Sequence, residues 1–379
     1  MAGATQSMTE LLPLPFTAPP GAYLDQAQSL LAEFRAGDEA AAWRFKWEHP
    51  RFRDATVVEV RTAALDLEDA KLVTARAYAF ESWTDLVAFA ERATLHGSIV
   101  RFETAADAMI DGDRAVLEAL LREDPALAGA RSARRHGASL LHYVAANGVE
   151  GWRQRTPRNV LDIARLLLDA GADPNALAFM YDAPSTTLAM LVSSSPPAEA
   201  GLQLPLAELL VDRGATLDAP GSPWNAAVLT ALVFGFLDTA RALAVRAGRS
   251  RDIAVAAGLG LLGETARLLP SADSERQRAA LTLACMHGHT RVAQLLLDAG
   301  VDPSQYNPEG MHGHSTPLHQ AVWSNRETVV HLLVERGARL DMRDTIYDGT
   351  PLDWAVYGQR SEIADYLRDH DRHAPAVAP

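Results

Sequence analysis

The chain has 379 residues, a formal net charge of −13 and a hydrophobic fraction of 48%. This length suits two or three ordinary domains or one extended array, and the apolar content is sufficient to bury a core. The 48 acidic residues outnumber the 35 basic ones, and lysine occurs only at Lys46 and Lys71. Because an acidic chain without a basic stripe binds a phosphate backbone poorly, we expect no nucleic-acid partner.

The sequence also argues against export and membrane insertion. Cys285 is the only cysteine, so no intramolecular disulfide and no cysteine-based zinc site can form. The N-terminal stretch MAGATQSMTELLPLPFTAPP has neither a basic region nor an unbroken apolar region of the kind found in signal peptides. No apolar run approaches the roughly 18 residues of a membrane span. We therefore expect a soluble, cytoplasmic protein with no membrane partner.

Taken in chain order, the first 98 residues predict a tail and a group of helices. Residues 1–20 are rich in proline, which favours an extended tail. Residues 21–98 read as about four helices, among them YLDQAQSLLAEFRAG (23–37) and LEDAKLVTARAYAF (67–80). We expect Phe80 and Trp83 to lie in the core of this segment.

Residues 103–369 contain a repeated pattern with a period near 33, in about eight units. The clearest copies are STPLHQAV (315–322) and GTPLDWAV (349–356), in which threonine is an N-cap and proline takes the first helical position. A second, amphipathic helix then ends at a glycine, as in LLLDAGADPNA (166–176). Helices this short cannot bury an apolar face alone, but stacked pairs can. Residues 370–379 follow as a C-terminal tail.

These motifs resemble those of the ankyrin-repeat family, whose T-P-L-H-x-A and L-L-x-x-G-A-D-x-N signatures they match closely. The resemblance implies a mainly α fold, in which helix pairs form a solenoid and hairpin-like fingers join them. ARAYAFESWTDL (75–86) is similar to the helical lead-in of some bacterial ankyrin proteins, and such a segment would cap the apolar end of the array. The family mostly binds other proteins through a concave groove and finger tips. It has no inherited active site, and we expect no cofactor.

Three histidines fall within eight residues, His312, His314 and His319. His319 and His142 take the place of the T-P-L-H histidine, and the resemblance implies that these rings join neighbouring fingers by hydrogen bonds. His312 and His314 lie in a connection about four residues longer than the consensus. If that connection is a hairpin, strand alternation places both on one side. They could then bind a metal, transfer protons, or be solvated or hydrogen-bonded. Since a third ligand is missing nearby, we expect no metal site.

Two further stretches have simpler interpretations. GLGLLG (258–263) fits the dinucleotide-binding pattern G-x-G-x-x-G, but no strand precedes it, so we predict a turn between helices. SARRHG (132–137) is a small basic finger that could meet a carboxylate or phosphate, although a solvated turn is the simpler expectation.

Aromatic side chains in the fingers and first helices predict a binding surface, because exposed apolar groups are costly unless something covers them. The alternative is that the fingers fold back and pack on each other. The candidate binding residues are Tyr143, Phe179, Tyr181, Trp224, His287, Tyr306, Trp323, Tyr347 and Trp354.

Two functions fit this pattern. The first is a binding module whose partner is another protein held in the concave groove. The second is an enzyme acting on a small apolar molecule by dehydration, isomerisation or cyclisation. Its acid–base groups would be His312, His314, Asp353 and Tyr357, with insertions at 149–159 and 195–205 walling the groove. An open groove favours the first function, and a closed pocket of roughly 300 Å³ or more favours the second.

Overall fold

The computed structural model describes residues 13–93, 97–218, 227–248 and 252–371. Within it the chain forms two compact units, 1–227 and 228–379. Helices dominate the described part of both units. No helix in these ranges combines the length and apolarity required to cross a membrane.

The N-terminal part of the first unit is a helical segment with two apolar clusters. Phe80 is buried, and Trp83 packs against both clusters, as predicted. The short third helix was not predicted; it begins at a capping box between Thr56 and Glu59. The helices are α1 (Pro20–Arg35), α2 (Glu39–Glu48), α3 (Val57–Arg61), α4 (Leu67–Ala77) and α5 (Trp83–Ala93).

The proline-rich stretch before α1 is packed where the structure describes it. The amide of Leu14 donates to Tyr78 Oη at 2.9 Å, and Phe16 packs against the cluster that contains Tyr78. The expectation of an extended tail over 1–20 is therefore wrong for 13–19, whose apolar side chains find a surface to cover. Residues 1–12 lie outside the described ranges.

Helix pairs follow in the first unit. The second pair begins with a 3₁₀ turn, Leu140–Ala145, in place of a full first helix. A two-stranded antiparallel hairpin, β1 (Ala178–Met180) and β2 (Ala183–Ser185), leads into the third pair. The helices are α6 (Gly97–Asp111), α7 (Arg114–Glu123), α8 (Val160–Asp169), α9 (Thr187–Leu191), α10 (Ser195–Glu199) and α11 (Gln203–Asp212).

The second unit contains five further pairs in its described residues. From α14 onward they share one apolar core, which runs from Ile253 to Leu367. The pairs are α12 (Ala227–Val233) with α13 (Leu237–Ala247), α14 (Ile253–Gly258) with α15 (Leu262–Leu268), α16 (Ser274–His287) with α17 (Thr290–Asp298), α18 (Pro317–Trp323) with α19 (Glu327–Glu335), and α20 (Pro351–Tyr357) with α21 (Ser361–Asp371). Residues 372–379 of the expected C-terminal tail are outside the description.

Close packing and backbone geometry explain Gly258 and Gly260 of GLGLLG, a stretch that ends α14, turns and begins α15 as predicted. A Cβ on Gly258 would lie 2.8 Å from Leu232 Cδ1, which is closer than the ordinary contact distance of two non-bonded carbon atoms. Gly260 has φ +76°, a left-handed conformation that glycine adopts without steric cost. The motif therefore serves packing and chain reversal.

Two repeat histidines join the first element of their pair to the next finger. His319 Nδ1 accepts from the amide of Thr316, and Nε2 donates to the carbonyl of Gly349 at 3.1 Å. His142 binds the amide of Ser139 and the carbonyl of Ser185 in the same way. Both rings are fully buried, and this burial lowers the pKa of each to about 4. The folded protein therefore holds these rings neutral.

A pH-dependent stability follows from these rings. Because the pKa of His319 is about 6.5 in the unfolded chain and about 4 in the folded one, the unfolded state binds more protons between these values. Stability is then complete above about pH 6.5 and falls as the pH drops towards 4. We expect His319→Gln to reduce this loss, measured as the thermal midpoint against pH from 7 to 4.

The matched control is His370→Gln, since His370 is exposed near the end of α21. The slope measured for this variant is the reference for replacing a histidine at the surface. If His319→Gln had the wild-type slope, the buried ring would not be a source of the pH dependence.

Candidate functional site

The first unit encloses a group of charged side chains, here named the buried charge cluster. Arg134 Nη2 donates to Glu103 Oε2 at 2.9 Å, and Arg134 also forms an ion pair with Glu150. Arg153 Nη1 bridges the same two carboxylates, at 2.7 Å from Glu103 and 3.2 Å from Glu150. Each of these four side chains is at most 2% exposed. The cluster comprises Glu103, Arg134, His136, Tyr143, Glu150 and Arg153, and Asp107 pairs with Arg153 at its edge, where the Asp107 side chain is 46% exposed.

Arg134 connects this cluster to the N-terminal helices. Its guanidinium carbon lies 4.8 Å from the ring centroid of Phe89 and 5.6 Å from that of Trp152, and Nη1 donates to the carbonyl of Tyr78. The expectation that SARRHG is a solvated turn is therefore wrong, because Arg134 reaches carboxylates inside the protein. Those carboxylates come from α6 and from the insertion at 149–159, and the spacing of charges along the chain did not indicate which carboxylates Arg134 would meet.

The charges in the cluster stabilise one another. Burial opposes ionisation of Glu150, but Arg134, His136 and Arg153 outweigh it, so the pKa of Glu150 is lowered. Tyr143 Oη donates to Glu150 at 3.3 Å, and burial raises the pKa of this phenol. Tyr143 is 1% exposed, so the expectation that it faces a partner is wrong. The insertion at 149–159 thus packs into the protein where its Arg153 meets the cluster.

The hairpin finger of the first unit carries Phe179, 46% exposed, and Tyr181, 66% exposed. Tyr181 Oη donates to Asn147 at 2.6 Å. Asp182 forms ion pairs with Arg53 at 2.6 Å and Arg135 at 3.3 Å. The tip of this finger is therefore tied to the N-terminal helical segment, and its phenol is already engaged within the unit.

The second unit brings together the rings named here the aromatic surface: Trp323, Trp354 and Tyr357. The centroids of Trp323 and Trp354 are 5.9 Å apart in an edge-to-face arrangement. Those of Trp323 and Tyr357 are 6.4 Å apart, with an interplanar angle of only 17°. Both tryptophans are partly buried, whereas Tyr357 is 61% exposed. Sequence spacing placed these residues on first helices, and the structure shows that they are neighbours.

The buried carboxylate of Asp344 holds Trp354 and the preceding finger in place by hydrogen bonds. Asp344 is 2% exposed, and its carboxylate accepts from the amides of Ile346, Tyr347 and Gly349 at 2.7–3.0 Å. It also accepts from Trp354 Nε1 at 2.9 Å, which fixes the indole. Our sequence analysis did not single out Asp344, although an aspartate that begins a turn in DTIYDG is a known signal.

The connection that carries His312 and His314 contains no strand in its described residues. His312 has φ +57°, so strand alternation does not apply and that expectation is wrong. Its Nε2 donates to the carbonyl of Val233 at 2.8 Å, and burial lowers its pKa to about 4. His314 lies 6.0 Å from His312 and 6.0 Å from Trp354 between ring centroids, and burial also lowers its pKa.

The four proposed catalytic residues do not form one hydrogen-bonded group. Asp353 Oδ2 accepts from the amide of Thr350 at 2.9 Å and so caps its own helix. Tyr357 stacks on Trp323, and none of the hydrogen bonds among described residues joins the four candidates to one another. Nor do the described residues contain a group of three side chains suited to hold a metal ion.

Two clefts in the described part of the chain lie elsewhere. One, of about 530 Å³, is lined by residues including Ile110, Arg155 and Asn159 in the first unit. The other, of about 200 Å³, is lined by residues including Leu340 and Leu367 in the second. Neither is lined by a proposed catalytic residue.

The remaining candidates differ in exposure. Tyr306 is half-buried, and its Oη donates to the carbonyl of Arg343 at 2.6 Å. Tyr347 is 43% exposed beside Asp344. His287 is buried, its Nε2 donates to the carbonyl of Leu232, and burial lowers its pKa to about 4, so the expectation that it faces the groove is wrong. Trp224 lies outside the described residues.

Breaking the buried charge cluster should destabilise the protein strongly. Arg134→Met keeps the apolar part of the side chain but removes one of the two guanidinium groups that pair with the buried carboxylates of Glu103 and Glu150, which costs about 3–5 kcal/mol. The neighbouring Arg135→Met removes only partly exposed ion pairs with Glu81 and Asp182, worth about 1 kcal/mol or less. Urea unfolding of both variants measures the difference, and equal losses would contradict a structural role for the cluster.

Comparison with known proteins identifies the repeats. Residues 253–344 match the profile described as "Ankyrin repeats (3 copies)", and residues 136–178 match the one described as "Ankyrin repeat". These segments include both repeat histidines, His142 and His319, and most of the core of the second unit.

Characterised relatives point the same way. Human cyclin-dependent kinase 4 inhibitor B is 32% identical over 126 residues, which cover 32% of this chain and 88% of that protein. Mouse ankyrin repeat and SAM domain-containing protein 6 is 32% identical over 98 residues, covering 26% of this chain and 11% of that protein. Mouse ankyrin repeat and SOCS box protein 6 is 40% identical over 68 residues, covering 18% and 16%. With its stacked helix pairs, histidine-bridged fingers and these matches, the chain belongs to the ankyrin-repeat family.

Proposed function

We propose that this chain is a protein-binding module and that its partner docks on the aromatic surface of the second unit. One observation carries the proposal: Trp323, Trp354 and Tyr357 are fixed beside one another, yet Tyr357 remains 61% exposed. Tryptophan and tyrosine are the residues most often found where binding energy concentrates in protein interfaces.

The repeats support a protein partner in general. Stacked ankyrin units form extended surfaces that protein ligands use. One relative is described by its name as an inhibitor of cyclin-dependent kinase 4, which is itself a protein. That target belongs to the relative, and only the class of partner, a protein, supports the proposal for this chain.

Rigidity favours this surface over the other exposed rings. The indole of Trp354 is anchored by Asp344, and the backbone N–H of Tyr347, in the preceding finger, donates to the same carboxylate. A surface ordered before binding loses less conformational entropy when a partner docks. In the first unit, by contrast, Tyr181 is already bonded to Asn147. The second unit therefore offers the better prepared site.

The proposal predicts which exposed rings a partner needs. We expect Tyr347→Ala combined with Tyr357→Ala to reduce recovery of specific partners about tenfold or more, since each anchor contributes about 1–2 kcal/mol or more. The measurement is affinity capture on immobilised protein from an extract of the source cells, quantified by mass spectrometry.

Val245→Ala provides the matched control. Val245 is 82% exposed on the second helix of its pair, so it tests the loss of exposed apolar surface without touching the aromatic surface. Proteins captured by wild type and by Val245→Ala, but lost from the double variant, would support the proposal. Full capture by the double variant would refute it.

A further inference from the structure

We infer that the aromatic surface contains a seat for a guanidinium group, so that the partner inserts an arginine side chain against Trp323 and Tyr357, with Asp353 as its counter-ion. This inference rests on the proposed function and specifies the chemistry of one contact within it.

The first support is the geometry of the two rings. Trp323 and Tyr357 are within 17° of parallel, with centroids 6.4 Å apart. Aromatic faces carry partial negative charge and attract cations placed over them. Arginine is planar and weakly hydrated, so it stacks on such faces, whereas the ammonium group of lysine is compact and strongly hydrated. Two nearly parallel rings therefore match a flat cation.

The second support is the position of Asp353. It lies four residues before Tyr357 on α20, which places both on the same face of the helix. Both side chains are exposed. Two other copies of this repeat position carry His142 and His319, whose buried rings are neutral when folded. Asp353 keeps the capping role but adds a carboxylate next to the exposed ring.

The third support is the environment of Trp354. Its Nε1 donates to the buried carboxylate of Asp344, and an anionic acceptor increases the electron density of an indole ring. Trp354 in turn packs edge-to-face on Trp323. Arg360 Nη2 donates to the carbonyl of Trp323 at 3.4 Å, so this intrachain guanidinium binds the backbone of α18.

An acidic chain favours a cationic occupant. The formal charge of −13 attracts basic partners over distances of about a Debye length. A proline-rich segment can also stack on aromatic rings, but proline carries no charge that would pair with the carboxylate of Asp353. The presence of that carboxylate is what favours arginine over proline here.

The test is an NMR titration of the full chain with N-acetyl-L-arginine methylamide, following the indole N–H signals of Trp323 and Trp354. We expect saturable shifts of both signals. The citrulline analogue has nearly the same shape without the charge, and should bind about tenfold more weakly because both the cation–π and the ionic contacts are lost. N-acetyl-L-proline methylamide should bind no better than citrulline.

Variants of the protein locate the seat. Asp353→Asn retains an oxygen for the helix cap and removes the charge, so arginine affinity should fall about tenfold. Asp365→Asn removes the same charge from α21, where the aspartate pairs with Arg368, and should leave arginine affinity unchanged. The citrulline comparison uses wild-type protein and does not depend on how the variants fold.

Equal binding of arginine and citrulline, stronger binding of proline, or no effect of Asp353→Asn would overturn the inference. The proposed function is judged separately by partner capture with the Tyr347 and Tyr357 variants. If capture depends on these rings while arginine does not bind, the function stands and the guanidinium seat is rejected.

Discussion

The carboxylate of Asp344 is buried to 2% exposure and accepts three amide N–H groups and one indole N–H group. A buried charge is costly unless it is fully hydrogen-bonded, and these four donors supply what water would. The finger that carries Tyr347 is held in shape by these bonds, and Trp354 is held against it. Gly349 belongs to the same arrangement, since its amide binds Asp344 while its carbonyl accepts from His319. One carboxylate thus links the finger, two first helices and the rings of the aromatic surface.

The two units handle polar groups differently. In the first unit, Arg134, Arg153 and their carboxylate partners are enclosed, and they join the N-terminal helices to the first repeats. Buried ion pairs of this kind add little net stability over apolar packing, but each partner is costly to lose. In the second unit, the buried carboxylate of Asp344 holds residues whose aromatic rings lie at the surface. The first arrangement secures the fold, and the second prepares a surface that we propose for binding.

Much of the fold could be predicted from the sequence because the repeats obey local rules. Threonine caps, the proline that follows them and the glycines that end helices act within a few residues, and the structure has them as predicted at Thr350, Pro351 and Gly288. The role of the repeat histidine at His319 followed from the resemblance to the family, and its two hydrogen bonds are observed.

Less of the candidate site could be predicted from the sequence, because the site depends on contacts between residues that are far apart along the chain. Arg134 and Glu103 are 31 positions apart, and no local pattern shows that they meet. His312 was placed by an assumed strand, yet its left-handed backbone turns the ring towards Val233. The prediction that Tyr143 and His287 are exposed was also wrong, because both side chains are buried. Periodicity cannot distinguish an inward-facing ring from one that lines a groove. Asp344 was missed because its partners include an indole ten residues away.

The central claim is that a protein partner contacts the aromatic surface of the second unit. The most direct measurement replaces Tyr357 by the photoreactive residue p-benzoylphenylalanine, which keeps an aromatic ring, and irradiates cells that make the protein. The account predicts discrete covalent adducts with one or a few proteins from position 357, and none from the same residue placed at Val245. Adducts of equal yield at both positions, or none at 357 while the fold is intact, would contradict it.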